Sequence, residues 1–149
     1  MSAGGRERVR RLSGGAVADL VNAVAVADID ACLRMLAVTA IDVVDLGGEP
    51  VVADTLTQWR EQGRVSPPTL VQLASVITRY EVDAALAHRT ADIGSQRIAF
   101  VKARALQCLS IAVEVEVSPV ERLGEASYEA AAAMGGTAGV VAVLVEFAA

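Results

Sequence analysis

Between residues 29 and 46 apolar side chains return with the helical period, and this stripe constrains the fold more than any other stretch of the chain. Ile29, Cys32, Leu33, Leu36, Ala40, Val43 and Val44 fall on one side, and Asp30, Arg34, Asp42 and Asp45 on the other. Asp28 suits the N-cap of such a helix, and Gly47-Gly48 suits its stop. The i, i+4 pair of Asp30 and Arg34 adds only about 0.2–0.5 kcal/mol, so the helix depends on burying its apolar side.

Similar punctuation divides the rest of the chain. A first helix is predicted over residues 17–27. Pro50 opens a third, which carries Val51, Val52, Leu56 and Trp59 and ends at Gly63. Ser66-Pro67-Pro68 starts a fourth that reaches about His88, with Leu70, Leu73, Ile77, Tyr80 and Ala84 along one side. After a break between Arg89 and Gly94, the residues Ile98, Val101, Ala105, Cys108, Leu109 and Ala112 mark a fifth, with Arg97 and Arg104 projecting from its other side. Ser118-Pro119-Val120-Glu121 has the form of a capping box and opens a sixth helix to Met134, where Gly135-Gly136 stops it. Thr137 then caps a last helix through Phe147.

The expected fold is all-α, a compact bundle or irregular stack of six to seven helices joined by short turns. A single helical domain would span residues 16–149. Residues 1–15, with four glycines and four arginines and no apolar period, read as a mobile basic arm ahead of it. An α+β alternative stays open: residues 111–117 alternate with period two, residues 140–145 are equally rich in β-branched side chains, and the two could flank the sixth helix in a short βαβ unit at the C-terminus. No internal repeat of fixed period is present.

Composition narrows the function classes. Apolar residues make up 54% of the 149, and alanine supplies much of that share, which suits closely packed helices better than a roomy ligand cavity. Lys102 is the only lysine among thirteen basic residues, a bias expected of a GC-rich, bacterial coding genome. No run approaches the roughly 18–20 apolar residues that a bilayer requires, and the apolar C-terminal stretch contains Glu146. Arg6, Arg8, Arg10 and Arg11 precede an apolar run ending in Ala25-Val26-Ala27, the outline of an export signal, but Asp19 and Asn22 interrupt it. A cytoplasmic protein is expected.

The chemistry-bearing residues are sparse. His88 is the only histidine and has no ligand partner at helical spacing before the break; its place near a helix C-terminus fits the macrodipole. Cys32 and Cys108 match no zinc spacing and lie in apolar stripes, so buried free thiols are expected. Glu121, Glu125 and Glu129 share a helix face, but no Glu-x-x-His accompanies them, which leaves a solvated or partner-facing surface. The glycine pairs lack the Lys and hydroxyl of a phosphate loop, and no Gly-x-Ser-x-Gly elbow occurs. No cofactor, metal or catalytic residue is expected.

Binding is the use such a surface suits best. Residues 88–107 hold Arg89, Arg97, Lys102 and Arg104 against Asp92 alone, a basic segment in a chain of net charge −5. With Phe100 as its only stacking aromatic, it suits an acidic protein better than nucleic acid. Trp59 and Arg60 precede an irregular connection and could anchor an interface, with core burial of the tryptophan as the simpler expectation. Val141, Leu144 and Phe147 belong to a last helix that is apolar on several sides, so it must be central or covered by another chain. These nine residues are the candidate sites of a non-catalytic interaction or assembly module that pairs with itself or another protein and has no membrane partner. The second reading is a small-molecule-binding or regulatory domain, with an interhelical pocket lined by residues such as Met35 and Tyr80. An enzyme working through His88 or scattered carboxylates ranks third.

Overall fold

The computed structural model describes residues 15–148; the expected basic arm over residues 1–14, and Ala149, lie outside it. Seven α-helices form among the described residues: α1 (Ala16–Ala23), α2 (Ile29–Val43), α3 (Pro50–Gln62), α4 (Pro67–Arg89), α5 (Ile93–Ala112), α6 (Pro119–Met134) and α7 (Ala138–Phe147). A short 3-10 turn (Val26–Asp28) leads into α2. The all-α expectation holds. The βαβ alternative does not form: residues 111 and 112 complete α5, residues 113–118 are a connecting loop, and residues 140–145 lie within α7. Arg122 of α6 fixes this outcome by donating from Nη1 to the Ala112 carbonyl and from Nε to the Val117 carbonyl, each at 3.0 Å. The loop carbonyls are thereby taken up by a side chain instead of a strand partner.

Several boundaries differ from the sequence reading for identifiable reasons. α1 stops at Ala23 because Val24 turns extended, enters the core and forms an isolated antiparallel bridge with Ala148. α2 stops at Val43, before the glycine pair. Asp45 takes the left-handed conformation (φ 59°), and the Leu46 N–H donates to the Ile41 carbonyl at 3.1 Å, so that Leu46 folds back into the core. Asp is among the few side chains that tolerate this region. Asp28, Ser66, Ser118 and Thr137 occupy N-terminal positions but make no side-chain capping bond. The Ser66 hydroxyl instead meets Thr69 Oγ1 at 3.0 Å, while its N–H donates to Gln58 Oε1 at 2.8 Å. Asp92 is the side chain that does cap, accepting from the Ser95 N–H at 3.1 Å and the Ser95 hydroxyl at 2.8 Å.

The core draws Val17 and Val21 from α1, Leu33, Leu36 and Ala37 from α2, Leu123, Ala126 and Ala130 from α6, and Val140 and Leu144 from α7. The C-terminal half of α5 adds Leu106 and Leu109, and α4 adds Leu73 and Ile77. Cys32 and Cys108 are buried free thiols, and burial pushes them up to about 11 and about 12, with the Glu129 charge assisting at Cys108. The α5 stripe keeps Ala105, Cys108, Leu109 and Ala112 in the core as predicted and departs at its N-terminal end. Ala99, Ala103 and Leu106 point inward and Ile98 points out, because α5 must pack against α4 and α6 together.

Candidate protein-interaction surface

Helices α4 and α5 form an antiparallel hairpin whose base is embedded in the body and whose end is not. From Thr78 to Ile98 every residue is exposed or half-buried. A helix of this kind is ordinarily stabilised by packing one face against a core. Here the two helices have chiefly each other, along a seam of small residues that includes Ala84 and Ala99. The turn between them, Thr90-Ala91-Asp92, is tight: Ala91 adopts φ 57°, the Asp92 N–H reaches the Ala87 carbonyl at 2.9 Å, and Asp92 then caps α5. The two bonds from Ser95 hold the Asp92 carboxyl below its ordinary range.

Apolar exposure concentrates on this hairpin. Among the described residues, twelve large apolar side chains stand exposed, and six of them, Val71, Val82, Leu86, Ile93, Ile98 and Phe100, belong to α4 or α5. Ile93 is 72% exposed and Phe100 47%. Two adjoining depressions, of about 360 and 430 Å³, meet at Gln96 and Phe100; Ile93 and Arg97 line one, and Ala84, Ala85, His88 and Arg89 line the other. Neither Arg89 nor Arg97 forms an ion pair among the described residues. His88 Nδ1 lies 3.4 Å from Gln96 Oε1. The tip therefore offers an aromatic ring and an isoleucine flanked by two uncommitted guanidinium groups, the residue types that anchor protein interfaces.

The nine sequence-derived candidates separate into three groups. Arg89 and Arg97 come together at the tip. Lys102 and Arg104 lie lower on the hairpin and already have partners: the Lys102 ammonium sits 5.8 Å from the Tyr80 ring, and Arg104 reaches Glu129 at 3.1 Å and Glu81 at 3.8 Å while lying 5.7 Å from the Phe100 ring. Glu129 is buried by this contact and Glu121 and Glu125 are half-buried, so the glutamate series on α6 is not the solvated face its spacing suggests. Trp59, Arg60, Val141, Leu144 and Phe147 are remote from the hairpin tip in the sense that none lines it. Trp59 is 3% exposed beneath the Arg34 guanidinium, 5.4 Å from its ring, the core burial that was its simpler expectation, and it lines a cleft shared with Arg60. Leu144 is fully buried, and Val141 and Phe147 pack partly against the core, while Val145 on the same helix is 56% exposed. Arg60 remains exposed beside a cleft of about 210 Å³ with Arg34, Val38 and Leu56.

Sequence reasoning missed Ile93, Val82 and Leu86 as surface residues. Their signal was present: each lies off the inward stripe of its helix. A second polar cluster holds the α3 entrance to α4, where Tyr80 donates to Glu49 Oε1 at 2.5 Å and Arg79 reaches the same oxygen at 2.7 Å; burial and this contact raise the phenol above its ordinary range. Tyr80 also lines a shallow cleft of about 320 Å³ with Asp83, Ile98 and Lys102. Among the described residues no three His, Cys, Asp or Glu side chains gather as a metal site, and no helix is long and apolar enough to cross a membrane. Compared with protein-family models, with curated proteins and with solved structures, the chain matches none.

Proposed function

We propose that the chain is a non-catalytic helical interaction module whose binding face is the outer part of the α4–α5 hairpin. The observation that carries this reading is the run from Thr78 to Ile98 without a buried residue, studded with exposed Val82, Leu86, Ile93 and Ile98 and bordered by Phe100. Leaving so many large apolar groups in water forgoes about 1.5–3 kcal/mol for each side chain that a partner would cover. Arg89 and Arg97, without an ion pair among the described residues, add charge selectivity and steer an acidic surface toward the tip.

The test compares full-length wild type with an Ile93→Ser, Phe100→Ser double variant in native extract by size-exclusion chromatography. The wild type elutes above the size of one chain and the double variant at that size, while Asp54→Ser on exposed α3 elutes as wild type. Retention of the larger species by the double variant, with native circular dichroism, overturns the reading.

A further inference from the structure

The hairpin carries a second cleft at its base. It encloses about 510 Å³ and is lined by Gln62, Arg64, Val65, Ser66, Pro67 and Leu70 on the α4 side and by residues 113–116 on the α5 side. Its rim holds Glu114, Glu116 and the exposed Val115. On α4, Leu70, Glu81, Ala84 and His88 are separated by 11, 14 and 18 residues from the first, spacings that return to one side of a helix. The base cleft and the tip depressions thus open on the same side of the hairpin, about 27 Å apart at 1.5 Å per residue.

Their charges are opposite. The tip presents Arg89 and Arg97; the base presents Glu114 and Glu116 against Arg64, a net negative lining. The wider asymmetry agrees: residues 88–104 hold four basic groups against Asp92, while the rest of the described chain has five arginines against sixteen acidic residues.

We infer that the occupant of the hairpin face is a second copy of this chain, laid antiparallel across it so that each basic, aromatic tip meets the acidic base cleft of the other copy. A twofold axis at the level of residue 79, between Ile77 and Glu81 on that side, brings this about, because Leu70 and His88 each lie nine residues from it along α4. The pairing is isologous and closes on itself, so both tips and both clefts are used at once. Glu81, two residues from the axis, is already paired with Arg104 at 3.8 Å, which limits repulsion between the two copies there. A face about 30 Å long and two helices wide, roughly 20 Å, is on the order of the ~800 Å² per partner that specific interfaces bury. The inference rests on the hairpin being the binding face and adds the identity of the partner.

The experiment is multi-angle light scattering on the full chain and two charge-reversed variants, Arg89→Glu with Arg97→Glu and Glu114→Arg with Glu116→Arg. The wild type has twice the 15.4 kDa chain mass. Each variant alone opposes like charges at both ends and weakens pairing at least about tenfold, so it runs as a monomer. An equimolar mixture of the two restores attraction at both ends and regains the doubled mass. Milder Arg89→Gln, Arg97→Gln replaces the first variant if its circular dichroism departs from native; it weakens wild-type pairing in the same direction. A wild type that stays monomeric, a mass that grows without limit, or a mixture of monomeric variants that fails to pair overturns the inference. A monomeric wild type whose larger species in extract still disappears on Ile93→Ser, Phe100→Ser leaves the hairpin as the binding face and removes only the second copy.

Discussion

Replacing Arg122 by alanine should be among the most damaging single changes in this chain, although the residue lies far from the hairpin tip. Its side chain is 8% exposed and reaches three groups: the Ala112 carbonyl, the Val117 carbonyl and, at 3.7 Å, Asp30. The first two bonds carry a full charge on the donor, and each such bond contributes about 1.5–3 kcal/mol. Removing the donor strands both carbonyls, one of them on a fully buried residue at the end of α5. The Asp30 carboxylate is largely exposed, so its pairing contributes at most about 1 kcal/mol. The expected loss for Arg122→Ala is therefore about 3 kcal/mol, a fall of roughly 6–12 °C in Tm for a chain of this size. Asp30→Asn should cost less than about 0.5 kcal/mol. Urea denaturation followed by far-UV circular dichroism reads both. If Arg122→Ala falls within about 1 kcal/mol of wild type, the guanidinium is not what holds the loop over residues 113–118, and the account of why no strand forms there fails with it.

Three further outcomes follow from the same geometry. Ala91 sits in a conformation that costs an L-residue about 1–2 kcal/mol, so Ala91→Gly should raise stability by about 0.5–1 kcal/mol after glycine's greater freedom in the unfolded chain is offset; an unchanged or lower Tm refutes this. The Asp92 carboxyl is depressed in the folded chain, so its contribution is complete above the ordinary aspartate range and is lost as pH falls through the lower folded value; the protection of amides at the start of α5, relative to the intrinsic exchange rate at each pH, should fall there and in Asp92→Ala at neutral pH, and protection that is unchanged in both contradicts it. Cys32 and Cys108 should resist a thiol reagent at mildly alkaline pH until denaturant is added, when both react; labelling of the native chain would contradict their burial.

Much of the fold was legible because helix periodicity and its punctuation agreed. Pro50 with Gly63, Ser66-Pro67 and Ser118-Pro119 with Gly135 mark helix limits that the structure keeps. What failed was decided by tertiary contacts. Asp45 ended α2 in place of the glycines because Leu46 had a core site to fill. The alternating run over residues 111–117 was divided between helix and loop by an arginine arriving from α6. The candidate site was legible in part: Arg89, Arg97 and Phe100 stood out as charge and stacking aromatic, but which further apolar residues joined them depended on how the N-terminal end of α5 sits against α4, and this put Ile93 and Ile98 outside and Ala99 inside. For Trp59 and Leu144 the sequence left core and interface both open, because residue type alone does not say which of the two a large apolar group finishes; the structure buries both.

The most direct test of the hairpin as binding face is site-specific photo-crosslinking of the full chain in cells. A photoreactive side chain placed at Ile93 or Phe100 is compared with one at Asp54 or Thr57, which are also exposed, on α3. The account predicts discrete protein adducts from the two hairpin positions and none from α3. Adducts from α3 with none from the hairpin, or no adduct from either, would contradict it.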